Sequence, residues 1–274
     1  MQTPKSILLH IDGSARSAER IRLAHRIAEA FDAQVSVRPC TLSSLVRYPF
    51  AIEAAAEALA IMQEMDAAAR DRMHAVFMAN SAGSHRLHWT EAAPDGVWGF
   101  ARQALYTDLL ILGQRDPEDP TEGELPADFV PTLLVESGRP ALVLPYAGPV
   151  GGMGDNVLIA WKETREAARA VAAALPWLRK ASQVHVAAYG EDAPSTSASL
   201  RDYLRAQDVP QVTLHPGGVE EGDVGGKLLS LAADLGSDLL VMGCYGHSRA
   251  REWVLGGATM SMLQSMTVPV LMSH

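Results

Sequence analysis

Asp108-Leu109-Leu110-Ile111-Leu112-Gly113 is answered in the second half of the chain by Asp238-Leu239-Leu240-Val241-Met242-Gly243. In each, an acid opens a run of four apolar residues and a glycine closes it. A strand covered on both faces reads this way, because it has no solvent side to alternate with. The agreement extends outward. Ile7-Leu8-Leu9-His10-Ile11 matches Val157-Leu158-Ile159-Ala160-Trp161, and Gln34-Val35-Ser36-Val37 matches Gln183-Val184-His185-Val186. Arg86-Leu87-His88 matches Thr213-Leu214-His215. Arg139-Pro140-Ala141-Leu142-Val143-Leu144 matches Thr267-Val268-Pro269-Val270-Leu271-Met272.

Helical patterns lie between these runs. Ala18, Ile21, Ala24 and Ala28 form one apolar stripe, and Ala168, Val171, Ala174 and Leu178 form its counterpart. Ser14 and Thr164 are placed to cap these helices. A long helix is expected over 51–77, a shorter one over 200–206, and Asp95 and Asp223 open two more. Strand and helix alternate, so each half predicts an α/β domain with a five-stranded parallel sheet. Gly148-Pro149-Val150-Gly151-Gly152-Met153-Gly154 offers little side chain to pack and marks the joint. The expectation is two tandem domains, 1–148 and 155–274.

The bulk numbers exclude several classes. The net charge of −9 opposes a general nucleic-acid binder, which needs a basic face. Two cysteines, Cys40 and Cys244, are too few for a disulfide framework. Met1 to Lys5 runs straight into Ile7-Leu8-Leu9 without the pattern of a secretory signal. No apolar run approaches the ~20 residues of a membrane span. A cytoplasmic protein with no membrane partner is expected.

Ligands of open α/β sheets bind at the carboxyl ends of the strands. After the fourth strand of the second half the chain reads Gly243-Cys244-Tyr245-Gly246-His247-Ser248-Arg249-Ala250-Arg251-Glu252-Trp253-Val254-Leu255-Gly256-Gly257-Ala258-Thr259. Glycine lets a phosphate approach main-chain N–H groups, and the helical pattern after Gly257 offers a helix N-terminus to an anion. His247, Arg249 and Arg251 add local positive charge, although a solvated loop would also carry them. The first half is different. Between Gln114 and Pro126 it holds five carboxylates, which repel a polyphosphate, and three prolines, which lack the backbone donor.

The Gly-x2-Gly-x9-Gly spacing after a fourth strand, with Ile11-Asp12-Gly13-Ser14 and Val268-Pro269-Val270-Leu271, resembles the universal stress protein family over the whole chain. That resemblance implies a Rossmann-like fold of the adenine nucleotide alpha hydrolase type and an ATP site in the second domain. Gly243, Gly246, Gly256 and Gly257 map onto the family's loop glycines. Ala160, Lys162, His247, Arg249, Ala258 and Thr259 complete the expected binding set, and Mg²⁺ would accompany the triphosphate. Two positions depart from the family pattern. Gly257 stands where a Ser or Thr follows the last glycine, Thr259 coming two residues later. Lys162 replaces the acid after the first strand. The resemblance also implies pairing of last strands, so that 141–145 and 268–272 would make one chain a pseudo-dimer, and a homodimer of chains is a further expectation.

Other residues admit two readings. Asp12 either caps the first helix or is a relic of a nucleoside site. His10, His85 and His88 lie near strand ends, but their spacing is loose for a metal, and none is expected. No Gly-x4-Gly-Lys-Ser/Thr, Gly-x-Ser-x-Gly or Gly-x-Gly-x-x-Gly element is present, so no catalytic residue is assigned. Slow ATP hydrolysis is the most the residues offer. The alternative function is an interaction scaffold of the same fold without nucleotide.

Overall fold

The computed structural model describes residues 3–48, 56–92, 96–119, 121–148, 151–218, 222–245 and 257–274. The chain divides into two compact units, an N-terminal one of Pro4–Ser137 and a C-terminal one of Gly138–His274 with Met1–Thr3.

In the N-terminal unit four strands run parallel: β1 (Ser6–Ile11), β2 (Gln34–Pro39), β3 (Leu87–Trp89) and β4 (Leu109–Gly113). Their order is β3-β2-β1-β4. β1 is buried from Ile7 to Ile11, as a strand covered on both faces must be. Its helices are α1 (Ser17–Phe31), α2 (Ser44–Arg47), α3 (Ala56–Asn80), α4 (Gly96–Ala104) and α5 (Phe129–Glu136). The expected stripe of α1 is buried at Ile21, Ala24 and Ala28, but Ser17 and Arg20 are buried with it. Ser14 does not cap α1. The N-cap is Arg16, and the Ser14 hydroxyl is drawn instead to the carboxylate of Asp12.

In the C-terminal unit the strands are β5 (Ala141–Leu144), β6 (Asn156–Trp161), β7 (Gln183–Ala188), β8 (Val212–Pro216), β9 (Leu239–Gly243) and β10 (Val270–Ser273). Their order is β5-β10-β9-β6-β7-β8. All neighbours are parallel except β5, which runs antiparallel to β10 with Val143 opposite Val270. That ladder joins β5 to this unit, so the compact divide falls before Gly138 and the Gly-rich joint lies inside the unit. β1–β4 and β6–β9 follow one order, third-second-first-fourth.

The helices here are α6 (Arg165–Leu178), α7 (Ala193–Ala206), α8 (Val224–Leu235) and α9 (Ala258–Ser265). Thr164 caps α6 by accepting from Ala167 N at 3.2 Å. The stripe of α6 starts at Ala167 rather than Ala168, which is exposed. α7 begins earlier than its apolar residues suggest, because its first turns are Ser-rich behind a Pro that suits a helix start. No helix among the described residues is long and apolar enough to cross a membrane.

Candidate functional site

β6 and β9 are neighbours with Ala160 level with Met242, so the expected contacts Ala160, Lys162 and Gly243 share one end of the sheet. Lys162 is exposed just beyond β6, and its carbonyl accepts from Thr164 N at 2.7 Å. Gly243 closes β9 against the first turn of α6. A Cβ there would collide with Ala167 N and lie 2.7 Å from the carbonyl carbon of Glu166. Both are backbone atoms, so only glycine lets the strand end pass. The packing of α6 accounts for this glycine by itself.

The chain then turns toward α9. Cys244 is buried, and its N–H donates to Ser273 O at 2.9 Å. Tyr245 is buried in a left-handed conformation, φ 54°, and its N–H donates to Thr259 Oγ1 at 3.3 Å. Gly257 is the N-cap of α9, and its carbonyl accepts from Met260 N at 2.9 Å. It has no side chain to cap the helix, which leaves the first-turn amides for another acceptor. Thus Gly243, Gly257, Ala258 and Thr259 gather around Gly243–Tyr245, with Ala160 and Lys162 at the adjacent strand end. Gly246, His247, Arg249, Arg251 and Gly256 lie outside the described residues.

At the corresponding place in the N-terminal unit the space is filled. A Cβ on Gly113 would collide with Arg20 Nη1, a side-chain atom. Arg20 is 2% exposed, and its Nη2 donates to Asp12 Oδ1 at 2.6 Å and Ser17 Oγ at 2.8 Å. Asp12 Oδ1 also accepts from Ser14 N at 3.0 Å and Ser17 Oγ at 3.0 Å. Burial alone would push the Asp12 carboxyl up. The Arg20 guanidinium, His10 and the Ser14 hydrogen bond hold it well below the usual carboxylate range instead. Asp12 is thus neither a helix cap nor open to a ligand.

His10 lies beside this pair, its ring 5.7 Å from that of Phe100 and 4.5 Å from that of Phe129. Its Nε2–H donates to Cys40 O at 3.0 Å. Burial lowers its pKa to about 4 against the pull of Asp12, with Arg20 adding to the lowering, so His10 is neutral at pH 7. His88 is tied instead to Gln34 at 2.8 Å. No group of three metal-binding side chains occurs among the described residues. Burial pushes the Cys40 thiol up to about 12, which silences it as a nucleophile.

The loop after β4 folds back over the turn after β1. Glu124 Oε2 would lie 2.7 Å from a Cβ on Gly13, and Thr121 Cγ2 at 3.0 Å. Burial raises the Glu124 pKa, with Arg47 at 3.6 Å opposing. The acidic loop therefore brings a carboxylate and a threonine to the place where an anion would have to enter. Arg20 is the residue that sequence reasoning missed. Its signal was position: a charge standing among Ser17, Ile21 and Ala24 on the buried face of α1.

Residues 153–274 match the model of the Universal stress protein family. Among solved structures, the chain is similar to a universal stress protein from Archaeoglobus fulgidus DSM 4304. The two share 17% identity and a TM-score of 0.70, over 99% of this chain and 96% of that one. It is also similar to a functionally unknown protein from Pseudomonas aeruginosa PAO1, at 16% identity and a TM-score of 0.58, over 99% and 93%. At these identities the likeness establishes the α/β fold. No curated protein matches the chain.

Proposed function

We infer that this chain, whose residues 153–274 form a universal stress protein family domain, binds ATP in its C-terminal unit as a regulatory ligand in a stress response. One observation carries the reading. Gly243–Tyr245 runs between the first turns of two helices, touching α6 at Ala167 and α9 at Thr259. Helix N-termini present amides and positive dipole to phosphate.

The space is also supported by what is missing. The two halves align with Asp12 at Lys162 and Arg20 at Ala170, which is fully buried on α6. Among the described residues no guanidinium stands in that place. In this reading Gly243, Gly246, Gly256 and Gly257 give backbone contacts, and His247 and Arg249 meet the phosphates. Lys162 reaches a phosphate from the end of β6, while Ala160, Ala258 and Thr259 complete the wall. Mg²⁺ would come with the triphosphate, held by its oxygens and water. In this reading ATP is a ligand more than a substrate, slow hydrolysis being the most the residues offer. The shared strand order supports a duplicated domain, and the charge and composition support a cytoplasmic location.

A second reading, a scaffold without nucleotide, is favoured by the packing role of Gly243 and by Lys162 in place of an acid. Denaturing the purified chain and chromatographing the supernatant separates the two. Release of adenine nucleotide supports the site. Its absence, with no uptake of labelled ATP at millimolar concentration in equilibrium dialysis, contradicts it.

A further inference from the structure

The N-terminal unit holds a cavity of about 720 Å³ that the nucleotide reading leaves unused. It opens at the carboxyl ends of β2 and β3, between α2, α3, α4 and the start of α5. Volumes of this size take small organic ligands. Its wall is apolar at Leu42, Val46, Val97 and Trp98, and Val46 and Trp98 are 63% and 60% exposed. An indole left so open is a surface waiting for a flat or cationic group.

The polar groups decide the ligand's charge. Asp66, Glu91 and Asp128 line the cavity against one cation, Arg70. Asp66 is held in place by neutral donors: Ser44 N at 2.9 Å and Ser44 Oγ at 2.7 Å both reach its Oδ1. Asp128 Oδ2 accepts from Thr132 Oγ1 at 3.1 Å. These bonds orient Asp66 without neutralising it, and neither Asp66 nor Glu91 forms an ion pair among the described residues. An apolar wall with surplus negative charge repels phosphates and carboxylates and attracts an ammonium group carried on an apolar body.

We propose that this cavity is a second small-molecule site, for an organic ammonium ion with an aromatic or aliphatic body. The ammonium faces Asp66 and Glu91, and the body stacks on Trp98. The site is separate from the C-terminal loop and does not rest on nucleotide binding there.

The test uses two probes of similar shape and opposite charge, phenethylammonium and 3-phenylpropionate, titrated by calorimetry into the full chain at low ionic strength. The cation is expected to bind at least about tenfold more tightly than the anion. Trp98→Ala and Glu91→Gln are each expected to weaken the cation by about tenfold while the melting temperature stays put, since both side chains are exposed. Gly246→Asp is expected to leave cation binding unchanged, which keeps this result distinct from any failure of the ATP site. Equal binding of the two probes, no binding of either at millimolar concentration, or cation binding that survives both cavity substitutions would each overturn the proposal.

Discussion

Arg20 Nη2 and Asp12 Oδ1 meet at 2.6 Å with both side chains buried, so an internal ion pair fills the space beside Gly113 in the N-terminal unit. Removing one partner leaves the other buried and uncompensated. Arg20→Ala is expected to cost about 3–5 kcal/mol, measured by urea unfolding, and the single variant Asp12→Ala a comparable amount. The double variant Arg20→Met with Asp12→Ala should recover much of that loss. If both singles are neutral, the pair is not an internal stopper.

Stability should fall on mild acidification because of His10. Its folded pKa, about 4, lies below the unfolded value of 6.5, so between those values the unfolded chain binds the extra proton. The linkage sign then makes stability fall as pH drops from 6.5 to 4, by about 3 kcal/mol in all. Asp12, whose folded pKa is depressed, adds a further loss only as pH falls below its unfolded value of 3.8. His10→Gln should flatten the profile between pH 6.5 and 4. His185 is also lowered, by burial and then His215, and leaves a residual slope of the same sign, which Glu124 opposes because burial raises its pKa from 4.5. An unchanged slope in His10→Gln contradicts the assignment.

Gly243 and Gly257 should separate structure from binding. A methyl at Gly243 meets the backbone of α6, and Gly243→Ala is expected to destabilise by about 1–3 kcal/mol. Gly257 has φ −59°, which any residue adopts, so Gly257→Ala should fold normally. Urea unfolding of both variants checks this, and equal stability of the two would contradict the packing argument.

Cys40 should be inert. With its thiol pushed up to about 12, iodoacetamide at pH 8 should leave it unmodified in the native chain and label it after unfolding. Native labelling at Cys40, read by peptide mass, contradicts the burial described.

Much of the fold was legible because a strand buried on both faces leaves an unbroken apolar run, as Leu109–Leu112 and Leu239–Met242 do. Helix edges were less legible. α7 hides behind Ser195, Thr196 and Ser197, which give no apolar signal, and Ser14 looked like a cap because capping residues and turn residues share one chemistry. The glycines and the acidic loop could be read for charge and backbone freedom. The pairing of Arg20 with Asp12 could not, since a helical arginine next to apolar positions reads as solvated until the sheet is built against it. Nor could the packing of Gly243, which depends on how closely α6 crosses the end of β9.

In the proposed function the C-terminal unit takes the phosphates of ATP at the loop between Gly243 and Thr259. Calorimetric titration of ATP into the apo chain, beside its Gly246→Asp variant, tests it most directly. Saturable binding by the native chain is expected, with a loss of at least about tenfold in the variant, whose added carboxylate would repel the phosphates. No heat from the native chain at millimolar ATP, or equal affinity in the two, would contradict it.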